Sequence, residues 1–274
     1  MKVSCGLNVG KLLRVLQEGL LKEEAAHFAP LTCLVGNEDS DGISLSQRDN
    51  ITTFMLNLSR HCGFHSETYS LSVNLLDRFL SVVKANPKYL PCMSICCLFL
   101  AIKMSEEDED VPTAADFVKV SGLRFSSSDL LRMERIILDK LNWNLNATTP
   151  LYFLQVFHAL GVAKGFLDHC PVNQHLQHIT SLMEGLLCHH KFMFFKPSTL
   201  ALALLSHELV YVCNNWFMAT HYLQHEGKVS DAELWACSKL VNEHLNSVIQ
   251  KHLPSFKTLP MTENEDEEFP VIEN

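Results

Sequence analysis

The chain has 274 residues and a formal charge of −9, and it is 47% hydrophobic with only 11 Gly and 10 Pro. Domains of roughly 100–200 residues make this one large unit or two small ones, with enough apolar material for a buried core. Sparse Gly and Pro exclude a barrel or sandwich built on tight turns, and scattered, outnumbered Lys and Arg exclude a phosphate-reading nucleic-acid surface.

Met1 to Gly6 are not followed by an unbroken apolar run, because Lys11, Arg14, Gln17 and Glu18 interrupt it, so no secretory signal is expected. No window of about 18 apolar residues is evident, so no membrane span is expected either. The ten Cys then read as reduced, small core residues of a protein of the nucleus, the cytoplasm or both.

Residues 8–28 carry Val9, Leu12, Leu13, Leu16 and Leu20 at helical spacing, with Asn8 as a cap. Residues 29–44 read as a loop around Pro30, Gly36 and Gly42. Ser46 reads as the N-cap of a helix to Arg60, with Ile51, Phe54, Met55 and Leu58 inward. A longer helix over 66–84 places Tyr69, Val73, Leu76, Leu80 and Val83 on one face, and Asn86-Pro87 stops it. The next helix, 91–104, begins on Pro91 and has no polar face, so it should be a central helix wrapped by its neighbours, with Lys103 at its C-terminal end.

A short helix over 113–121 ends near Gly122, and Ser126, Ser127 and Ser128 offer caps for a helix to Asn142. Thr149-Pro150 is an N-cap and first-turn pair for a helix ending at Gly161. Residues 173–190 form an amphipathic helix, Pro197 heads a second apolar one, and Ser230-Asp231-Ala232-Glu233 is a capping box opening 231–252. Pro91 and Pro197 lie 106 positions apart, and the caps at Ser127 and Ser230 lie 103 apart, which points to a duplicated helical unit. After Pro254 the acidic run Glu263 to Glu268 cannot bury a core and is expected to be disordered.

Asp77 falls inside the apolar stripe of helix 66–84, and a buried carboxylate needs a cation. Arg48, on the preceding antiparallel helix, is the best local partner, making Arg48 and Asp77 a structural ion pair. Fourteen His raise the question of a metal, but His175 with His178 and His189 with His190 form no closed four-ligand set, and there is no Cys-x2-Cys. Cys92 and Cys96 share a helix face as packing residues. With no Gly-rich phosphate loop, no Gly-x-Ser-x-Gly and no Cys–His dyad, neither enzyme activity nor a cofactor is expected.

Three stretches together resemble the cyclin family: Glu67 to Ser81, which looks like the cyclin-box signature; Leu100 to Glu107, like the end of its central helix; and Leu131 to Trp143, like its fifth helix. Within that family the chain is most similar to the branch of cyclins I and G, cyclin I above all. The resemblance implies an all-α fold of tandem five-helix cyclin units. An N-terminal helix and loop would cover 1–44, a cyclin box 45–146, a second cyclin-like fold 147–252, and an acidic tail 253–274. It implies that Lys103 and Glu134 contact a kinase, with Met104, Leu138, Trp143 and Leu145 as apolar contacts.

The implied function is a regulatory subunit that binds and activates a cyclin-dependent serine/threonine kinase, cyclin-dependent kinase 5 or a relative. The alternative is a cyclin-fold adaptor that binds a kinase or phosphatase subunit without activating it. Gln47-Arg48-Asp49-Asn50-Ile51 stands where many members carry Met-Arg-Ala-Ile-Leu, and Phe54 where many carry Trp. That departure puts docking of the family's Arg-x-Leu substrates in question.

Overall fold

In the computed structural model, which describes residues 8–25, 42–167 and 170–252, the helices run in two successive sets. α1 spans Val9–Ala25, α2 Leu45–Cys62, α3 Ser66–Val82, α4 Leu90–Ser105, α5 Ala114–Ser121 and α6 Ser127–Lys140. α7 spans Pro150–Ala163, α8 Val172–Leu187, α9 Pro197–Val212, α10 Trp216–Glu226 and α11 Asp231–His252. There is no strand among the described residues.

α4 is the axis of the first set. From Met93 to Ile102 every residue is buried, because α2, α3, α5 and α6 all pack on it. Each enclosed Leu, Ile or Phe contributes about 1.5–3 kcal/mol through area withdrawn from water. With the preceding 3₁₀ turn, Pro87–Ser105 is long and apolar enough by composition to cross a membrane, contrary to the expectation from sequence, yet it is mostly buried inside the fold. α9 repeats the arrangement, surrounded by α7, α8, α10 and α11. Each helix of the second set starts just over a hundred residues after its counterpart.

Thr149 and Ser126 cap their helices as expected, and Thr113 caps α5 in the same way, each accepting a hydrogen bond from a first-turn N–H. α2 is different. Its cap is Ser44, not Ser46, because Gln47 stands three residues on and returns a bond to the Ser44 N–H, completing a capping box. α3 stops at Val82, where Val83 turns extended, earlier than expected. α10 is a helix that periodicity does not announce: only Ala219 and Leu223 are buried, while Trp216, Phe217 and Met218 face solvent. The expected loop over 29–44, up to residue 41, and the acidic tail from 253 lie outside the described residues.

The two sets are clasped by polar contacts as well as packing. Arg60 pairs with Glu184 at 2.5 Å, Thr52 donates to the Cys188 carbonyl at 3.0 Å, and the Asp49 carboxylate accepts from the His190 N–H at 2.7 Å. α1 precedes the first set in sequence but packs on α7 of the second. Gly19 permits that approach, since a Cβ there would sit 2.6 Å from the Tyr152 ring. The Tyr152 hydroxyl donates to the Val15 carbonyl at 2.8 Å, and Glu23 accepts from both the N–H and the hydroxyl of Ser198 in the first turn of α9. A carboxylate there complements the positive end of the helix dipole.

Candidate functional site

Lys103 lies in the last turn of α4, where unsatisfied carbonyls favour a cation. Its Nζ donates to Glu134 Oε1 of α6 at 2.6 Å and sits 4.3 Å from the Phe99 ring centroid. Phe99 is itself held by stacking on Phe117 of α5, so three helices fix where the ammonium stands. Lys103 keeps about a third of its surface exposed, at 36%, against 13% for Glu134. An ammonium has three donors, and Glu134 takes one.

The apolar residues expected beside this pair divide into two groups. Met104 and Trp143 are displayed to solvent, at 48% and 69% exposure. Leu138 and Leu145 are not: both are 8% exposed and belong to the core, so they support the surface from beneath and do not present it. The reason is packing. Leu138 belongs with Ile137 to the buried core on which α6 packs, and Leu145 joins that core after the chain leaves α6. Leu131, three residues before Glu134 on the same helix, is 44% exposed beside the pair. Spacing alone does not separate the two, because Leu131 and Leu138 lie three and four residues from Glu134 and share its helix face.

Trp143 is exposed by backbone geometry. After α6 the chain turns left-handed at two successive non-glycine residues, Asn142 with φ 51° and Trp143 with φ 58°. The Trp143 N–H closes back on the Leu138 carbonyl at 2.8 Å, and Arg78 of α3 donates to the Asn144 carbonyl at 2.8 Å. Between buried Leu141 and Leu145, this turn throws the indole outward. Left-handed conformation costs a bulky L-residue roughly 1–2 kcal/mol, and such strain concentrates at functional positions.

Arg48 and Asp77 form a two-pronged pair, Nε to Oδ1 at 3.0 Å and Nη2 to Oδ2 at 2.7 Å. Arg48 is 1% exposed and donates its remaining Nη1 to the Leu187 carbonyl at 2.9 Å. The rest of the segment that differs from Met-Arg-Ala-Ile-Leu is also engaged internally: Gln47 in the α2 cap, Asp49 with His190. The histidines are taken up in the same way. His158 and His175 meet at 3.1 Å in the core of the second set, and His178 lies 3.4 Å from Glu208. Among the described residues no group of His, Cys, Asp and Glu is arranged to hold a metal. Cys96 and Cys97 are enclosed, and burial pushes both thiols well up from their ordinary value.

Comparison with known proteins matches residues 16–146 to the cyclin N-terminal domain and 148–265 to the cyclin C-terminal domain. Human cyclin-G1 is 35% identical over 245 residues, covering 86% of this chain and 81% of the relative. Human cyclin-I2 is 36% identical over 205 residues, 73% of this chain and 56% of that protein. The fold superposes on a viral cyclin from herpesvirus saimiri with a TM-score of 0.67 at 19% identity, over 84% of this chain and 97% of the viral one. Two domain matches that together span nearly all of the tandem helical sets, with relatives from the G and I branch, place this chain in the cyclin family of regulatory proteins.

Proposed function

We propose that this chain binds a cyclin-dependent serine/threonine kinase through the surface around Lys103 and activates it. The observation that carries this is the 2.6 Å Lys103–Glu134 pair, formed between the last turn of α4 and the middle of α6 and flanked by exposed Met104, Leu131 and Trp143. Glu134 prevents the ammonium from swinging freely, so its remaining donors are pre-aimed at carbonyls of an approaching helix or loop. The apolar side chains supply the anchors around which a hot spot forms. A stable complex buries on the order of 1,200 Å² or more, so this pair is the centre of a larger contact.

Activation then needs no chemistry from this chain. A regulator that binds more tightly to the kinase conformation with its catalytic Lys–Glu pair assembled shifts the population towards that state. We take cyclin-dependent kinase 5 or a relative as the first partner to test, in the nucleus or the cytoplasm. The internal use of Gln47, Arg48 and Asp49 favours substrate selection without the family's usual docking groove.

The test is co-purification and kinase assay with the full chain and with a Lys103→Ala, Glu134→Ala double variant. Loss of both bound kinase and activity in the variant supports the reading. Kinase that co-purifies equally with both proteins would refute the site, and kinase that binds but gains no activity would assign the adaptor role.

A further inference from the structure

A cleft of about 450 Å³ opens between the two helical sets, walled by α1, α3, the turn after α6 and the start of α9. Volumes of this size suit a small organic ligand. Along the α3 wall, Ser70, Asn74 and Arg78 follow one another at intervals of four, which places them in one row on the helix face. Each has a buried polar atom with no hydrogen-bond partner: Ser70 Oγ, Asn74 Oδ1 and Arg78 Nη1. Ser70 is 1% exposed. A buried unsatisfied polar atom costs about 1–3 kcal/mol, so three in a single row need an explanation.

The charges lining the cleft point to the missing chemistry. Lys22, Arg48, Arg78 and Lys140 face two carboxylates, and both carboxylates are already engaged, Asp77 by Arg48 and Glu23 by Ser198. Arg78 has its Nη2 on a neutral carbonyl, Asn144 O, and burial alone pulls its guanidinium below the ordinary value. In a chain of net charge −9 this is a local cationic excess. The rest of the lining mixes polar groups, Asn142, Asn146, Thr148 and His189 among them, with an apolar set of Val73, Leu141, Phe192, Pro197 and Leu200.

We infer that this cleft is a binding site for a small amphipathic organic anion, its head on the Arg78 guanidinium of the α3 wall, along which the Ser70 hydroxyl offers a second donor, and its apolar body against Phe192 and Leu200. The cleft adjoins the Lys103 surface at the turn after α6, because Arg78 also holds the Asn144 carbonyl there. Such a ligand would touch both helical sets and hold them together.

The probe is 8-anilinonaphthalene-1-sulfonate, titrated into the full chain by fluorescence at low salt. One saturable site is expected. Arg78→Met should weaken it about tenfold or more and Ser70→Ala by about fivefold, the sizes set by loss of a charged and a neutral hydrogen bond. Arg78→Lys should retain most of the affinity. Melting curves check that each variant folds, and Ser70→Ala carries the test if Arg78→Met does not. Decanoate should displace the probe and inorganic phosphate should not. The proposal is overturned by unchanged affinity in the folded variants, by absence of saturation, by displacement with phosphate alone, or by loss of binding in Phe217→Ser, which alters only the exposed patch on α10.

Discussion

Arg48 donates to the Leu187 carbonyl at 2.9 Å across 139 residues of chain while its other nitrogens fork onto Asp77. One buried guanidinium thus neutralises a carboxylate of its own helical set and satisfies a carbonyl at the end of α8 in the other.

Replacing it leaves Asp77 charged and unpaired and a buried carbonyl unsatisfied. Arg48→Met is expected to destabilise the protein by about 3–5 kcal/mol, and Arg48→Lys to recover only part because an ammonium cannot make the fork. A double variant Arg48→Met, Asp77→Leu should regain stability relative to Arg48→Met. Urea denaturation measures all three, and a drop under about 1 kcal/mol for Arg48→Met would count against the role assigned to this residue.

Leu131 and Leu138 separate surface from core on the same helix. Leu131→Asp leaves the core intact, so it should shift stability by no more than about 0.5 kcal/mol while lowering kinase co-purification. Leu138→Asp puts a carboxylate into an apolar interface and should unfold the first helical set. Circular dichroism melts paired with pull-downs give the comparison. A folded, kinase-binding Leu138→Asp protein contradicts the burial of Leu138 in the core.

Trp143 adopts φ 58°, which glycine takes without penalty. Trp143→Gly is therefore expected to change stability little, or to raise it by up to about 1 kcal/mol, while reducing kinase binding by tenfold or more in the manner of a lost aromatic anchor (about 2 kcal/mol). Opposite signs on the two measurements distinguish a displayed contact from a structural residue. Parallel losses in both would make Trp143 structural.

Acid sensitivity should originate partly at His158. Burial first, and then the neighbouring His175, lower its pKa from 6.5 to about 4, and burial also lowers that of His175. The unfolded chain therefore binds more protons between pH 6.5 and about 4, so folding stability falls as pH falls through that window. The size is on the order of 3 kcal/mol for His158. His158→Phe should melt at a lower temperature near pH 7, because His175 loses its partner, but its melting temperature should decline less steeply towards pH 4. An unchanged slope would remove His158 as the source.

Much of the fold was legible because its signals are local. A run from Cys92 to Ile102 with no polar face demands enclosure, and Thr149-Pro150 starts a helix wherever it occurs. Ser44 was legible too: Ser44 and Gln47 are three apart, the capping-box interval, although Ser46 offered a rival cap. α10 was hidden because it buries only Ala219 and Leu223 and displays its large side chains, which inverts the rule that periodicity relies on.

Local chemistry along the chain therefore settles where helices begin, which ones are central, and that Asp77 needs a cation. Folding in three dimensions decides the rest: that Arg48 also reaches Leu187, that Leu138 is core while Leu131 is surface, that Trp143 points outward, and that Ser70, Asn74 and Arg78 line a shared cleft. The physical reason is that a main-chain carbonyl, a left-handed turn or a gap between two helical sets leaves no mark on residue type or spacing, and exists only once distant segments have packed.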